Sequence, residues 1–316
     1  MIPTGRRTFI KQALALGAFS YLPHSVFGLG FNSPFQMSLN PGAIGVNVGH
    51  DELVKLALKY DFQAITPLPE LVQKPALALL EVKEAMKNAG LQWDAMGLPV
   101  EFRKSNDQYR KELYNLHSSA DMLKNIGAFA MNTWIMPMHN ELNYDENFDL
   151  HVVRLKEVAK VLAASGLSLG LEYVGPISLM TSGKYPFVSK LFELQELIRA
   201  INAPNVGIQL DAFHWYCAGE SADDLGRLSA KEIITVDLND AVAGRSIFEQ
   251  LDWERELPGA SGVIDLKAFL KALAAMGYTG PIRAEPFNAQ LNALDNETAV
   301  QRTALAMSQT LALVND

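Results

Sequence analysis

Four acidic residues each close a short apolar run in the second half of the sequence: Glu172 after Leu169-Gly170-Leu171, Asp211 after Ile208-Gln209-Leu210, Asp237 after Thr235-Val236, and Glu285 after Ile282-Arg283-Ala284. Any one of them alone reads as a helix cap or a solvated rim charge. Strands that run parallel end at the same rim, so four in succession bring four carboxylates together, and these repel strongly unless a cation neutralises them. The chemistry expected is that of a divalent metal centre with Glu172, Asp211, Asp237 and Glu285 as ligands. An oxygen-only set suits Mn²⁺, Mg²⁺ or Ca²⁺; an added imidazole widens the choice to Zn²⁺, Co²⁺ or Fe²⁺. His214, three residues beyond Asp211, can reach back over that rim as a ligand, a substrate donor or a proton carrier, or simply pack beside Trp215. Trp134, in the fourth apolar run, can form a stacking wall or fill the interior.

Positioning these residues requires a regular scaffold, and the patterning supplies one. Apolar, strand-like runs over 43–48, 62–66, 92–98, 128–135, 168–173, 206–211, 233–238 and 282–285 alternate with stretches of i, i+3, i+4 apolar spacing over 52–60, 74–89, 108–126, 148–165, 187–200, 266–276 and 298–314. Gly90, Gly127, Gly166 and Gly277 mark helix ends, where a left-handed residue is needed. Strands alternating with helices pair in parallel, and continuous apolar runs suit strands buried on both faces. Eight such units predict a single-domain α/β (β/α)₈ TIM barrel over 40–316, with its chemistry at the carboxyl ends of the strands. A doubly wound open sheet fits less well, because Val48-Gly49-His50-Asp51 offers one glycine where a phosphate-binding turn needs several. The irregular stretch 239–262 is long enough to be functional.

Composition narrows the partners. Of 316 residues, 49% are hydrophobic, and 27 Lys+Arg stand against 35 Asp+Glu, with no basic run beyond Gly5-Arg6-Arg7, so no nucleic-acid partner is expected. The single cysteine, Cys217, excludes an internal disulfide. Residues 1–30 read separately: Arg6, Arg7 and Lys11 precede the apolar run Ala13–Phe19, which is too short to span a bilayer. Gly5-Arg6-Arg7-Thr8-Phe9-Ile10-Lys11 resembles a twin-arginine (Tat) signal, which implies export to the periplasm or beyond through the Tat machinery, with cleavage somewhere in 20–35.

Five segments carry a wider likeness: Leu171-Glu172-Tyr173-Val174-Gly175-Pro176, Leu210-Asp211-Ala212-Phe213-His214, Val236-Asp237-Leu238-Asn239-Asp240, the stretch 257–265, and the stretch 277–287 ending Arg283-Ala284-Glu285-Pro286-Phe287. Together they resemble the xylose-isomerase-like TIM-barrel superfamily of sugar isomerases and epimerases, over about 40–310 and most strongly from residue 165 onward. The resemblance implies a divalent metal (Mn²⁺, Co²⁺, Mg²⁺ or Zn²⁺) held by Glu, Asp, His and Glu at the ends of strands five to eight, which here are Glu172, Asp211, Asp237 and Glu285. Asp237 departs from the expected His: the centre is then all-carboxylate, or Asp240 or His214 substitutes. The basic residue expected after strand seven is out of register, and Arg245 is the nearest candidate for substrate binding, with His214 and Trp134. The implied reaction is proton abstraction α to a carbonyl, with Glu172 and Glu285 as the catalytic pair. No phosphate cradle stands out, so a free or keto sugar is the expected substrate. The same site could perform β-elimination on a 3-keto-glycoside as a lyase or hydratase, or bind sugar without turning it over. Relatives often pair, so a homo-oligomer is expected.

Overall fold

The computed structural model describes residues 33–315, and the export segment expected over 1–30 lies outside the described residues. Eight staves of parallel strand follow one another along the chain: β1 Gln36–Leu39, β2 Ala64–Ile65, β3 in two halves, Gln92–Trp93 and Met96–Gly97, β4 Ala130–Ile135, β5 Ser168–Tyr173, β6 Val206–Asp211, β7 Ile233–Leu238 and β8 Pro281–Ala284. Counted with its halves separate, the sheet has nine strands in the order first half of β3, β2, β1, β8, β7, β6, β5, β4, second half of β3. Its two ends are therefore halves of one stave, joined through Asp94 and Ala95: the first half pairs with β2 and the second with β4. The sheet curls into a TIM-barrel-like fold whose seam is a bend in a single strand.

Helices pack outside the strands: α1 His50–Lys59, α2 Ala76–Ala89, α3 Asn106–Ile126, α4 Tyr144–Ala164, α5 Leu191–Ile201, the short α6 Ala212–Cys217, α7 Leu266–Ala275 and α8 Asn296–Ala312. Their starts follow from side-chain caps that satisfy otherwise orphaned amides. Ser105 opens α3, Asp265 opens α7, and Asn143 with Glu146 forms a capping box on α4. Leu169, Leu171, Ile208, Leu210, Val236 and Ile282 are fully buried in the core. Residues two apart on one strand share a face, and the alternate set (Glu172, Gln209, Asp211, Asp237 and Arg283) is polar and linked across strands by hydrogen bonds.

One expected strand is corrected. Residues 43–48 are not a stave; Pro41 and Gly42 start a single 3₁₀ turn over Gly42–Ile44, and β1 lies upstream at Gln36–Leu39. The apolar run is buried for another reason: Ala43, Ile44 and Val46 pack into the core as a loop. Gly45, at φ +72°, lies so close to Asn292 that a Cβ there would fall 2.6 Å from the Asn292 Cα, which fixes this turn against the barrel's C-terminal segment. The strand expected over 62–66 shortens to two paired residues.

Candidate active site

Strand geometry delivers the four acids as a group. Glu172 lies on β5, Asp211 ends β6, Asp237 lies on β7, and Glu285 follows β8; one carboxylate oxygen from each lies within 4.8 Å of the others. Glu172 and Glu285 line a cavity of about 660 Å³ together with Gln209, His214, Arg255 and Arg283, whereas Asp211 and Asp237 are fully buried and do not line it. Asn40, Gly42, Ala43, Thr66, Leu98, Trp134 and Met136, from the first half of the chain, line the same cavity.

Two arginines, both buried, sit among the acids. Arg283 on β8 grips Asp237 with its Nε and, at 3.0 Å, its Nη2. Arg255 donates from Nη1 to Asp211 at 2.9 Å and from Nη2 to Asp252 at 2.7 Å; its Nη1 also stands 3.6 Å from Glu285 Oε2. Its guanidinium is sandwiched between the rings of Phe213 and Phe287, at 4.7 and 4.6 Å. Gln209 bridges the acids, donating to Glu172 Oε1 at 3.1 Å and to Asp237 Oδ2 at 2.7 Å.

The carboxylates differ in how they are satisfied. Asp211 accepts from the amides of Phe213 and His214, from Asn239 and from Arg255. No protein donor within hydrogen-bond range reaches Glu172 Oε2 or the carboxylate of Glu285. Burial, and then the charge of Asp237, push Glu285 up to about 8 despite Arg255 and Arg283. Burial and the neighbouring acids, Glu285 foremost, hold Glu172 well above the ordinary carboxylate range. Two glutamates that ionise reluctantly and face one cavity have the chemistry that proton transfer near neutral pH requires.

His214, in the first turn of α6, is buried with Nε2 3.9 Å from Glu172, 3.7 Å from Asp252 and 3.4 Å from Arg255; its Nδ1 has no partner. Burial keeps it below its usual pKa, with Arg255 adding to the effect against the pull of Asp211, so it is neutral at pH 7. Trp134, 39% exposed, lines the cavity, with the Arg103 guanidinium 4.0 Å over its ring and donating to its backbone oxygen at 2.6 Å. Phe287, 38% exposed, adopts φ +39°, a left-handed conformation that bulky residues rarely take.

Arg245 is corrected: it turns to Glu254 and does not line the cavity, and the loop's contribution to the site is instead Arg255, a buried cation beside Arg283. Asp240 is not free to substitute as a ligand, because it accepts from the amides of Ala241, Ser261, Gly262 and Ile264 and so pins the long loop. The same loop explains why sequence distance misleads. Asp240 and Glu256 form an antiparallel bridge, which returns Arg255 to the end of β7 although many residues intervene. Gln209 and Arg283, on alternate positions of strands already assigned, were accessible from the two-residue period; Arg103 had no comparable signal.

A divalent cation fits this donor set. One carboxylate oxygen each of Glu172, Asp211 and Glu285 lies within 4.8 Å of the others, and His214 also offers a nitrogen near Glu172 and Asp211. All-oxygen sites of this kind suit hard divalent ions.

Comparison with known proteins places the chain among enzymes. It is 29% identical over 147 residues to inosose isomerase of Bacillus subtilis (strain 168), an alignment covering 46% of this chain and 50% of that one. It is 29% identical over 137 residues to 3-dehydroshikimate dehydratase of Pseudomonas aeruginosa, covering 42% and 20% respectively. The chain thus spans about half the length of the inosose isomerase it matches, and less of the dehydratase. Among solved structures, a xylose isomerase domain protein from Alicyclobacillus acidocaldarius is 28% identical with a TM-score of 0.78, covering 89% of this chain and all of that one. The family model described as a xylose isomerase-like TIM barrel matches residues 54–310, and it is to this family that the chain belongs.

Proposed function

We propose that the chain is a sugar isomerase or epimerase that relocates a proton beside a carbonyl, assisted by a divalent metal and acting on a free or keto sugar. The observation that carries this reading is the Glu172–Glu285 pair: one buried and one partly buried carboxyl group facing one cavity, both held above the usual carboxylate range, with Glu172 Oε2 and the Glu285 carboxylate reached by no hydrogen-bond donor among the described residues. Glu172, Asp211 and Glu285 would hold the metal. When bound, such an ion supplies a Lewis acid that polarises a carbonyl and stabilises charge developing on its oxygen.

The chain's own residues provide the rest. One glutamate in its carboxylate form takes the C–H proton and keeps it, and the other, protonated at the outset, delivers its own proton to the neighbouring carbon or to the opposite face, so the two exchange protonation states in each turnover. Their raised pKa values bring the base nearer neutrality, where it is a stronger acceptor. Gln209 fixes the Glu172 carboxylate through Oε1, leaving Oε2 toward the cavity. Neutral His214 offers a hydrogen bond to a substrate hydroxyl, and Trp134, braced by Arg103, offers a flat face for a sugar ring. The Arg6-Arg7 pattern supports an exported enzyme, and with it a substrate outside the cytoplasm.

The inosose isomerase and dehydratase likenesses are compatible with one chemistry, because proton abstraction next to a carbonyl leads to elimination when a leaving group occupies the adjacent carbon. The dehydratase relative makes a lyase acting on a keto-glycoside the second reading. Incubation with candidate keto sugars in D₂O separates the outcomes. Deuterium incorporation with isomerised or epimerised product supports the first reading, and an unsaturated product supports the second. Absence of exchange across a broad panel, from a protein that binds metal, would leave a sugar-binding barrel.

A further inference from the structure

Asp237 stands with the other acids but is bonded differently. Arg283 takes both of its oxygens in a fork, and Gln209 adds a third bond at 2.7 Å. Arg283 is itself buried and depends on this acid. Its other neighbours are Asp94, 3.9 Å from Nη1, and the neutral Asn132, whose amide oxygen, turned toward it, lies 2.6 Å from Nη2 and 3.1 Å from Nη1. Asp94 is shared in turn with Ser38 and the Ala95 amide.

Asp211 is also donor-rich, yet its arginine can release it. Arg255 retains Asp252 through Nη2 at 2.7 Å and through Nε to the Asp252 backbone oxygen at 2.8 Å, whatever Nη1 does. Arg283 has one further carboxylate within ion-pair range, Asp94 at 3.9 Å, and that acid is already engaged by Ser38 and the Ala95 amide, so it is a poor replacement for the forked pair. Drawing Asp237 toward a cation would strand a buried guanidinium, the costly way to break a buried pair.

We infer that Asp237 is not a metal ligand but the fixed counter-ion of Arg283, so that Glu172, Asp211 and Glu285 alone supply the carboxylate ligands of the centre. The inference rests on the metal-assisted reading above. It replaces a four-acid centre with a three-acid one whose fourth side is closed by an internal ion pair.

The test is calorimetric titration of the full chain with Mn²⁺. In the charge-neutral exchange Asp237→Asn/Arg283→Gln, the net charge of the site is unchanged, so only direct ligation is removed. Mn²⁺ affinity within about threefold of wild type is expected, against a loss of about 100-fold or more for Glu285→Gln. A second exchange, Asp237→Leu/Arg283→Met, uses apolar groups of the kind that buried pairs tolerate, and the same result is expected should the first variant fail to fold. A loss in either folded double variant comparable to that of Glu285→Gln would overturn the inference while leaving the metal-assisted reading intact. A wild-type protein that takes up no Mn²⁺ would overturn both, and this is seen in the first titration.

Discussion

The two halves of the barrel do different work. Staves β5 to β8 bring the acids, Gln209 and Arg283 to one rim, and the loop after β7 adds Arg255. Staves β1 to β4 and their loops contribute Ala43, Leu98, Trp134 and Met136 to the cavity, with Arg103 stacked on Trp134 as their cation. Under the proposed function, reactivity falls to the half whose strands carry alternating acids, and selection of the substrate to the other wall, where apolar Leu98, Trp134 and Met136 stand beside Asn40, Thr66 and Arg103. The lesson is that chemistry and recognition can vary separately in this fold, because they sit on different strands of one cavity.

That division can be broken from either side. The largest effect is expected from Glu172→Gln or Glu285→Gln, which remove a proton carrier but keep the shape: kcat should fall by roughly 10²–10⁴ with the thermal midpoint nearly unchanged, and a variant retaining near wild-type turnover would dissolve the contrast. Arg255→Met should act on stability instead. It leaves Asp211 and Asp252 without their buried cation, at about 3–5 kcal/mol in urea unfolding.

On the other side of the cavity, Trp134→Ala should raise KM about tenfold, equivalent to ~1.4 kcal/mol, with kcat little changed. An equal fall in kcat would place Trp134 with the reactive half. The effect of His151 on α4 vanishes at neutral pH and emerges only in acid; its ring packs on Phe102 and Phe187 and burial holds its pKa at about 4. An unfolded chain takes up this proton near pH 6.5 while the folded one refuses it, so this contribution to stability is full above that pH and is lost as pH falls toward 4. The slope is at most ~1.4 kcal/mol per pH unit, and His151→Phe should flatten the acid limb measured by denaturant titration at several pH values.

How far the sequence alone reaches also divides along this line. The acids of the second half were visible because each terminates a continuous apolar run, and the period of two then assigns Gln209 to the same face as Asp211. The first stave was missed because Gln36–Leu39 is only four residues long, and a longer apolar run beyond it, over 43–48, proved to be a buried turn. Arg255 was missed because the fold-back between Asp240 and Glu256 is made by backbone pairing that side-chain pattern does not record. The metal-ligand role of Asp237 depended on a partner, Arg283, that sequence displays but cannot aim.

The pairing of the first stave with the last has one further consequence, for how the molecule comes into being. Gln36 pairs with Pro281, so the first stave finds one of its two neighbours only when the last is made. Until then β1 and β7 each present an unpaired edge, the kind that recruits other chains. Contacts so distant along the chain form slowly, and Arg283 and Glu285 arrive with that same closing stave. A chain stopped before residue 281 would therefore be both aggregation-prone and without Glu285, so closure of the shell and completion of the acidic cluster are one event.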